Sequence, residues 1–175
     1  HRRALLYPRQ LDATVRKDWD QIQTILHFIL TKFEAKYIEY HQTIDELSAI
    51  ENPTKEDVKR LANNVPNSPI GLRAFFDSLR GDAWLDLLRS NHYFDAPPAL
   101  QIVEGGGISS DPWPASQYLA RVAEAAPEKV AATILKIPDS DNFLVNADFV
   151  RAACAMPPES ATRLVPKIAR FIDRS

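Results

Sequence analysis

The chain has 175 residues, 45% of them apolar and 25% charged, with a formal net charge of −2. Those globular proportions exclude a largely disordered chain, and the near-neutral charge excludes a surface that is basic throughout and built for phosphates. No apolar run approaches the ~20 residues a membrane span requires; the longest patch, Thr24 to Leu30, is broken by His27.

The N-terminal end is basic, with Arg2, Arg3, Arg9, Arg16 and Lys17 against Asp12. It opens His1-Arg2-Arg3-Ala4 with no signal-peptide pattern, and the only methionine is Met156. The expectation is a segment of a larger protein. Between Pro8 and Pro53 there is neither glycine nor proline. Apolar residues recur there at Leu11, Val15, Trp19, Ile22, Leu26, Ile29, Phe33, Tyr37, Tyr40, Ile44 and Leu47, always three or four apart. That period predicts one long helix over about 10–50. The helix would brace a helical array, pair with a partner helix, or divide into two; the bulky Trp19, Phe33, Tyr37 and Tyr40 favour packing on an uneven surface over a regular coiled coil.

A second helix is expected over 54–64, with Thr54 as N-cap and Glu56 and Asp57 in its first turn. The Asn63–Pro69 segment, rich in Asn and Pro, is the expected boundary between an N-terminal part (1–66) and a helical-hairpin array (67–175). In the array, Ile70 to Leu79 and Ala83 to Leu88 form a first hairpin, with Asp82 as N-cap. Residues 91–112 interrupt it, since Pro97-Pro98 and Gly105-Gly106-Gly107 oppose regular helix; Leu100 to Val103 is the one weak strand signal. Further helices follow from Trp113-Pro114 to near Ala126, from Pro127 to Ile137, from Leu144 to Met156, and onward from Pro158. Asp139 to Asn142 is a turn that caps the third of these.

The C-terminal half repeats. A shift of 31 residues lays Tyr118-Leu119 on Phe149-Val150, Pro127-Glu128 on Pro158-Glu159, and Lys136-Ile137 on Lys167-Ile168. A period of this length marks helical units that bury their apolar faces only against neighbours.

Chemistry-bearing motifs are sparse. The triple glycine lacks the strand before it and the Lys-Ser/Thr after it that a phosphate cradle needs, so a flexible loop is expected. Asp139-Ser140-Asp141-Asn142 lacks the later ligands of a calcium loop. No His and Glu share the spacing of a di-metal bundle site. Cys154, the only cysteine, excludes an internal disulfide, fits a reducing, cytoplasmic compartment, and reads as a small core residue of an Ala-rich helix. No catalytic residues, metal or cofactor are therefore expected. Tyr93, Phe94 and Trp113, set among prolines, suggest a groove for an extended peptide or a plug between hairpins. Arg163, Lys167 and Arg170, with Arg174, form a second basic end.

The aligned blocks Tyr118–Ile137 and Phe149–Ile168, with Phe75–Leu88 as a looser copy, resemble HEAT-like α-helical repeats. Four of the twenty aligned pairs are identical, so the likeness is architectural. Trp113-Pro114, Tyr118-Leu119, Arg121 and Asp141-Asn142 are also similar to the helical arrays of large multidomain bacterial proteins. The resemblance implies an all-α fold: a long N-terminal helix, then antiparallel hairpins stacked as a short HEAT-like solenoid. It also implies a non-catalytic module for protein–protein interaction or interdomain scaffolding, contacting a protein partner or other domains of its own chain. Tyr93, Phe94, Trp113, Arg163, Lys167 and Arg170 are the candidate surface. The alternatives are a nucleic-acid-binding array using the basic ends, or the sensor arm of a bacterial NTPase or defence protein.

Overall fold

The computed structural model describes residues 13–102 and 107–172. The basic residues Arg2, Arg3, Arg9 and Arg174, with Gly105 and Gly106, lie outside the described residues, as do the side chains of Arg16 and Lys17. Among the described residues the protein is all-α apart from one two-stranded hairpin. No described helix is long and apolar enough to cross a membrane. The chain forms two compact units, 1–41 and 42–175.

In the first unit the described residues belong to α1 (Ala13–Ser48), a single helix whose last turns lie in the second unit. The lack of Gly and Pro permits the continuity. Within 18–41 no side chain is buried. The stripe is exposed, with Phe28 at 62%, Phe33 at 69% and Tyr37 at 65% of their full accessibility.

The second unit is closed around a core. It begins at Gln42, not at the Asn63–Pro69 segment expected as the boundary, because Ile44, Leu47, Val58, Leu61 and Val65 are all buried in it. α2 (Lys55–Asn64) starts at Thr54, whose N–H donates to the Asp57 carboxylate at 2.8 Å and whose hydroxyl donates to it at 2.7 Å. α3 (Pro69–Ser78) is capped by Ser68, whose hydroxyl oxygen accepts the Gly71 N–H. A side chain at Gly71 would place its Cβ 2.3 Å from the Pro66 carbonyl oxygen, so only glycine fits this approach.

α4 (Leu85–Ser90) begins two residues later than expected, with Trp84 at the N-cap position. Asp82 does not cap it; its carboxylate instead faces Lys129 at 2.9 Å. The irregular stretch contains β1 (Gln101–Ile102) paired antiparallel with β2 (Ile108–Ser109), which brackets the glycine run and makes a hairpin of what read as a plain loop.

α5 (Pro114–Val122), α6 (Pro127–Lys136) and α7 (Phe143–Ala155) follow the expected order. Asn142 caps α7 through its side-chain oxygen, which accepts the Leu144 and Val145 N–H groups. The last expected helix is two, α8 (Pro158–Thr162) and α9 (Val165–Ile172). Pro166 explains the break, since its ring removes a donor and crowds the carbonyl four residues earlier.

α5 packs against α3 and α7, and α6 packs against α4 and α8. Two hydrogen bonds span close to the 31-residue shift of the sequence. Ser116 donates to Asp148 at 2.6 Å, and Ser160 donates to Glu128 at 2.5 Å, each across 32 residues. Tyr118 reaches back to the Gly81 carbonyl across 37 residues, a span that includes the 91–112 insertion. Phe75 packs edge-on to Trp84 with ring centroids 5.1 Å apart, and Phe76 lies 5.6 Å from Tyr118. Cys154 is exposed on α7, contrary to the expected core position. Its neighbour Ala152 takes the buried face instead.

Candidate functional site

A groove of about 580 Å³ lies within the second unit. Val58 and Ala62 of α2, Leu72 and Phe76 of α3, Tyr93 and Pro98 of the insertion, and Trp113 and Pro114 at the start of α5 make its lining mainly apolar. Lys59, Asn67, Asn91 and His92 add polar groups.

Local rules place the two aromatic residues. Trp113 precedes a proline, which drives its backbone out of the helical region to φ −102° and ψ 111°. Its carbonyl accepts the Ser116 hydroxyl at 2.9 Å and the Gln117 N–H at 3.2 Å, fixing the entry to α5. Tyr93 is set by the end of α4. The Tyr93 N–H donates to the Leu88 carbonyl and the His92 N–H donates to the Arg89 carbonyl, a Schellman closure.

The left-handed position of that closure is normally glycine. Here it is His92, at φ 66°, the only non-glycine residue of positive φ among the described residues. The strain costs about 1–2 kcal/mol, and backbone strain concentrates at functional sites. His92 Nδ1 lies 2.5 Å from Asp95 Oδ2, on an exposed surface. Tyr93 is half-buried, and burial pushes its phenol up from the ordinary value, so it remains a hydrogen-bond donor at physiological pH.

Of the six residues expected to form an interaction surface, the structure brings Tyr93, half-buried, and Trp113, 8% exposed, together in the lining of this groove. Phe94 does not join them as a contact residue. It is 2% exposed, with its ring 6.2 Å from that of Phe76. Lys167 is likewise 2% exposed, its Nζ donating to the Ile137 carbonyl at 2.6 Å and to Asp139 at 3.1 Å. Arg163 pairs with Glu128, and Arg170 faces Asp139 at 3.2 Å. Each of these cations is therefore answered by a carboxylate about one repeat earlier in the chain. The apolar contributors Val58, Leu72 and Phe76 read in the sequence only as helix-face residues. The one local signal was the apolar pair Leu88 and Tyr93, five apart, which accompanies a Schellman ending.

Among the described residues no three His, Cys, Asp or Glu side chains gather as a metal site. Compared with known proteins, the chain matches no family model, no curated protein and no solved structure.

Proposed function

We propose that the second unit is a non-catalytic module for protein–protein interaction or interdomain scaffolding, and that its groove receives an extended peptide segment. The hairpins α3–α4, α5–α6 and α7–α8 make up a short HEAT-like array, an arrangement supported by the pairing of alternate helices and by two hydrogen bonds that link neighbouring hairpins, each across 32 residues. The observation that carries the reading is the groove itself. It sets Trp113 and Tyr93 beside Pro98 and Pro114, with unstrained polar groups and one strained residue around them. Flat aromatic and proline faces suit an extended, proline-containing chain, which brings little conformational entropy to lose. The nucleic-acid alternative has less support, because Arg163, Lys167 and Arg170 are all paired with acids or carbonyls of this chain.

Selection from a displayed library of random 12-residue peptides tests the proposal. Enriched peptides should carry proline or aromatic residues, and Trp113→Ala should weaken their binding at least tenfold, as loss of a central aromatic anchor does. Peptides that bind the Trp113→Ala and Tyr93→Ala variants as well as the parent would place recognition elsewhere.

A further inference from the structure

In the first unit α1 presents an apolar face far larger than a solvated helix needs. Ile22, Ile25, Leu26, Ile29 and Phe33, with Leu30 and Tyr37 beside them, are each between 41% and 69% exposed. Ile22, Ile25, Leu26, Ile29, Leu30, Phe33 and Tyr37 together expose on the order of 700 Å², which exceeds the usual patch on a monomer and approaches what each partner gives to a standard interface. We infer that a second copy of this chain covers this face, with the two α1 helices antiparallel about a two-fold axis near Thr24.

Size and charge together select that occupant and that direction. The seam positions Trp19, Ile22, Leu26, Ile29 and Phe33 follow steps of three, four, three and four, after which the spacing to Tyr37 is four. A parallel pair in register would set Trp19 on Trp19 and Phe33 on Phe33. The antiparallel pair sets Trp19 against Ile29 and Ile22 against Leu26, so that the largest side chain faces a smaller one and the inner layer pairs equals. The residues just before Trp19 and Phe33 are Asp18 and Lys32, on the same edge of the seam and fourteen apart. Antiparallel pairing places Asp18 of each copy beside Lys32 of the other, twice over by symmetry. Parallel pairing would set Asp18 near Gln23 and Lys32 near Tyr37, with no opposite charges. Asp18 has no ion-pair partner among the described residues, and Lys32 lies over its own Phe28 ring at 5.5 Å. The self-association is separate from the groove and does not depend on it.

Sedimentation equilibrium of the whole 175-residue chain, from about 1 to about 200 µM, tests the pairing. The expected result is a monomer–dimer equilibrium between 19.7 kDa and twice that mass. Leu26→Glu should leave a monomer throughout, with unchanged helical circular dichroism because Leu26 is exposed in the single chain. Asp18→Lys or Lys32→Asp alone should weaken the dimer about tenfold, and the two together should restore it. A chain that stays monomeric at every concentration overturns the proposal, and so does a dimer indifferent to Leu26→Glu. A dimer that Leu26→Glu abolishes but the double exchange does not restore overturns the antiparallel direction.

Discussion

The stripe on the 18–41 part of α1 and the stripe on α5 are built from the same kinds of residue at the same spacing, yet they meet different surroundings. Tyr118 and Leu119 of α5 are fully buried, and Val122 nearly so, between the helices of neighbouring hairpins. Ile22, Phe28, Phe33 and Tyr37 of α1 stand exposed. The helical period therefore says which face is apolar and nothing about what covers it. In the second unit the cover comes from sequence about one repeat away. For the first unit we assign it to another copy.

The sharpest way to break this comparison is to truncate one residue from each stripe. Leu119→Ala removes a side chain with no exposed surface and should cost about 3–4 kcal/mol through lost burial and the cavity left behind. Phe33→Ala, on the exposed face, should cost under about 0.5 kcal/mol in urea unfolding at low protein concentration. Similar losses at the two positions would mean that the α1 face is buried in the folded monomer.

A smaller effect separates two lysines that the repeat makes equivalent. Lys167 is buried and satisfies the Ile137 carbonyl and Asp139, whereas Lys136, one period earlier, is exposed. Lys167→Ala should destabilise by about 2 kcal/mol, since a buried carbonyl loses its donor while Asp139 keeps Arg170. Lys136→Ala should be close to neutral. Equal effects, read from chemical denaturation, would show that the two units share one packing.

The smallest expected effect belongs to a contact that needs no distant partner. The Thr54 hydroxyl and N–H hold the Asp57 carboxyl below its ordinary pKa of 3.8. A depressed folded-state pKa adds stability above the ordinary value and loses it as pH falls through the depressed one. Asp57→Asn should therefore cost about 1 kcal/mol near neutrality, the usual worth of a cap. The difference from the parent should shrink as pH drops below 3.8 and vanish once the carboxyl is protonated. A gap that survives at lower pH would assign the effect to something other than the charge of Asp57.

Legibility followed the range of the forces involved. Thr54 beginning α2, Asn142 capping α7 and the prolines opening α5 and α6 depend on neighbours within a few residues, so each was plain in the sequence. Pro166, which divides α8 from α9, carried an equally local signal that the 31-residue alignment masked by setting it opposite Leu135. Cys154 and Lys167 went the other way from their surface patterns. A residue one or two places round a helix exchanges core for solvent, and the alanines beside Cys154 leave that rotation undetermined.

Of the groove lining, Tyr93 and Trp113 stood out in the sequence as aromatics set among prolines, a pattern that fits a plug between hairpins as well as a groove. Phe76, Val58 and Leu72 did not, because they reach the same space only when α2, α3 and α5 are packed. The sequence by itself determined a mainly helical chain and most of its helix order, since these rest on periodicity, capping and the absence of donors at proline. The tertiary structure alone decided which stripe is buried, which cation is paired and which residues line a groove, because each of those requires side chains thirty or more residues apart to meet.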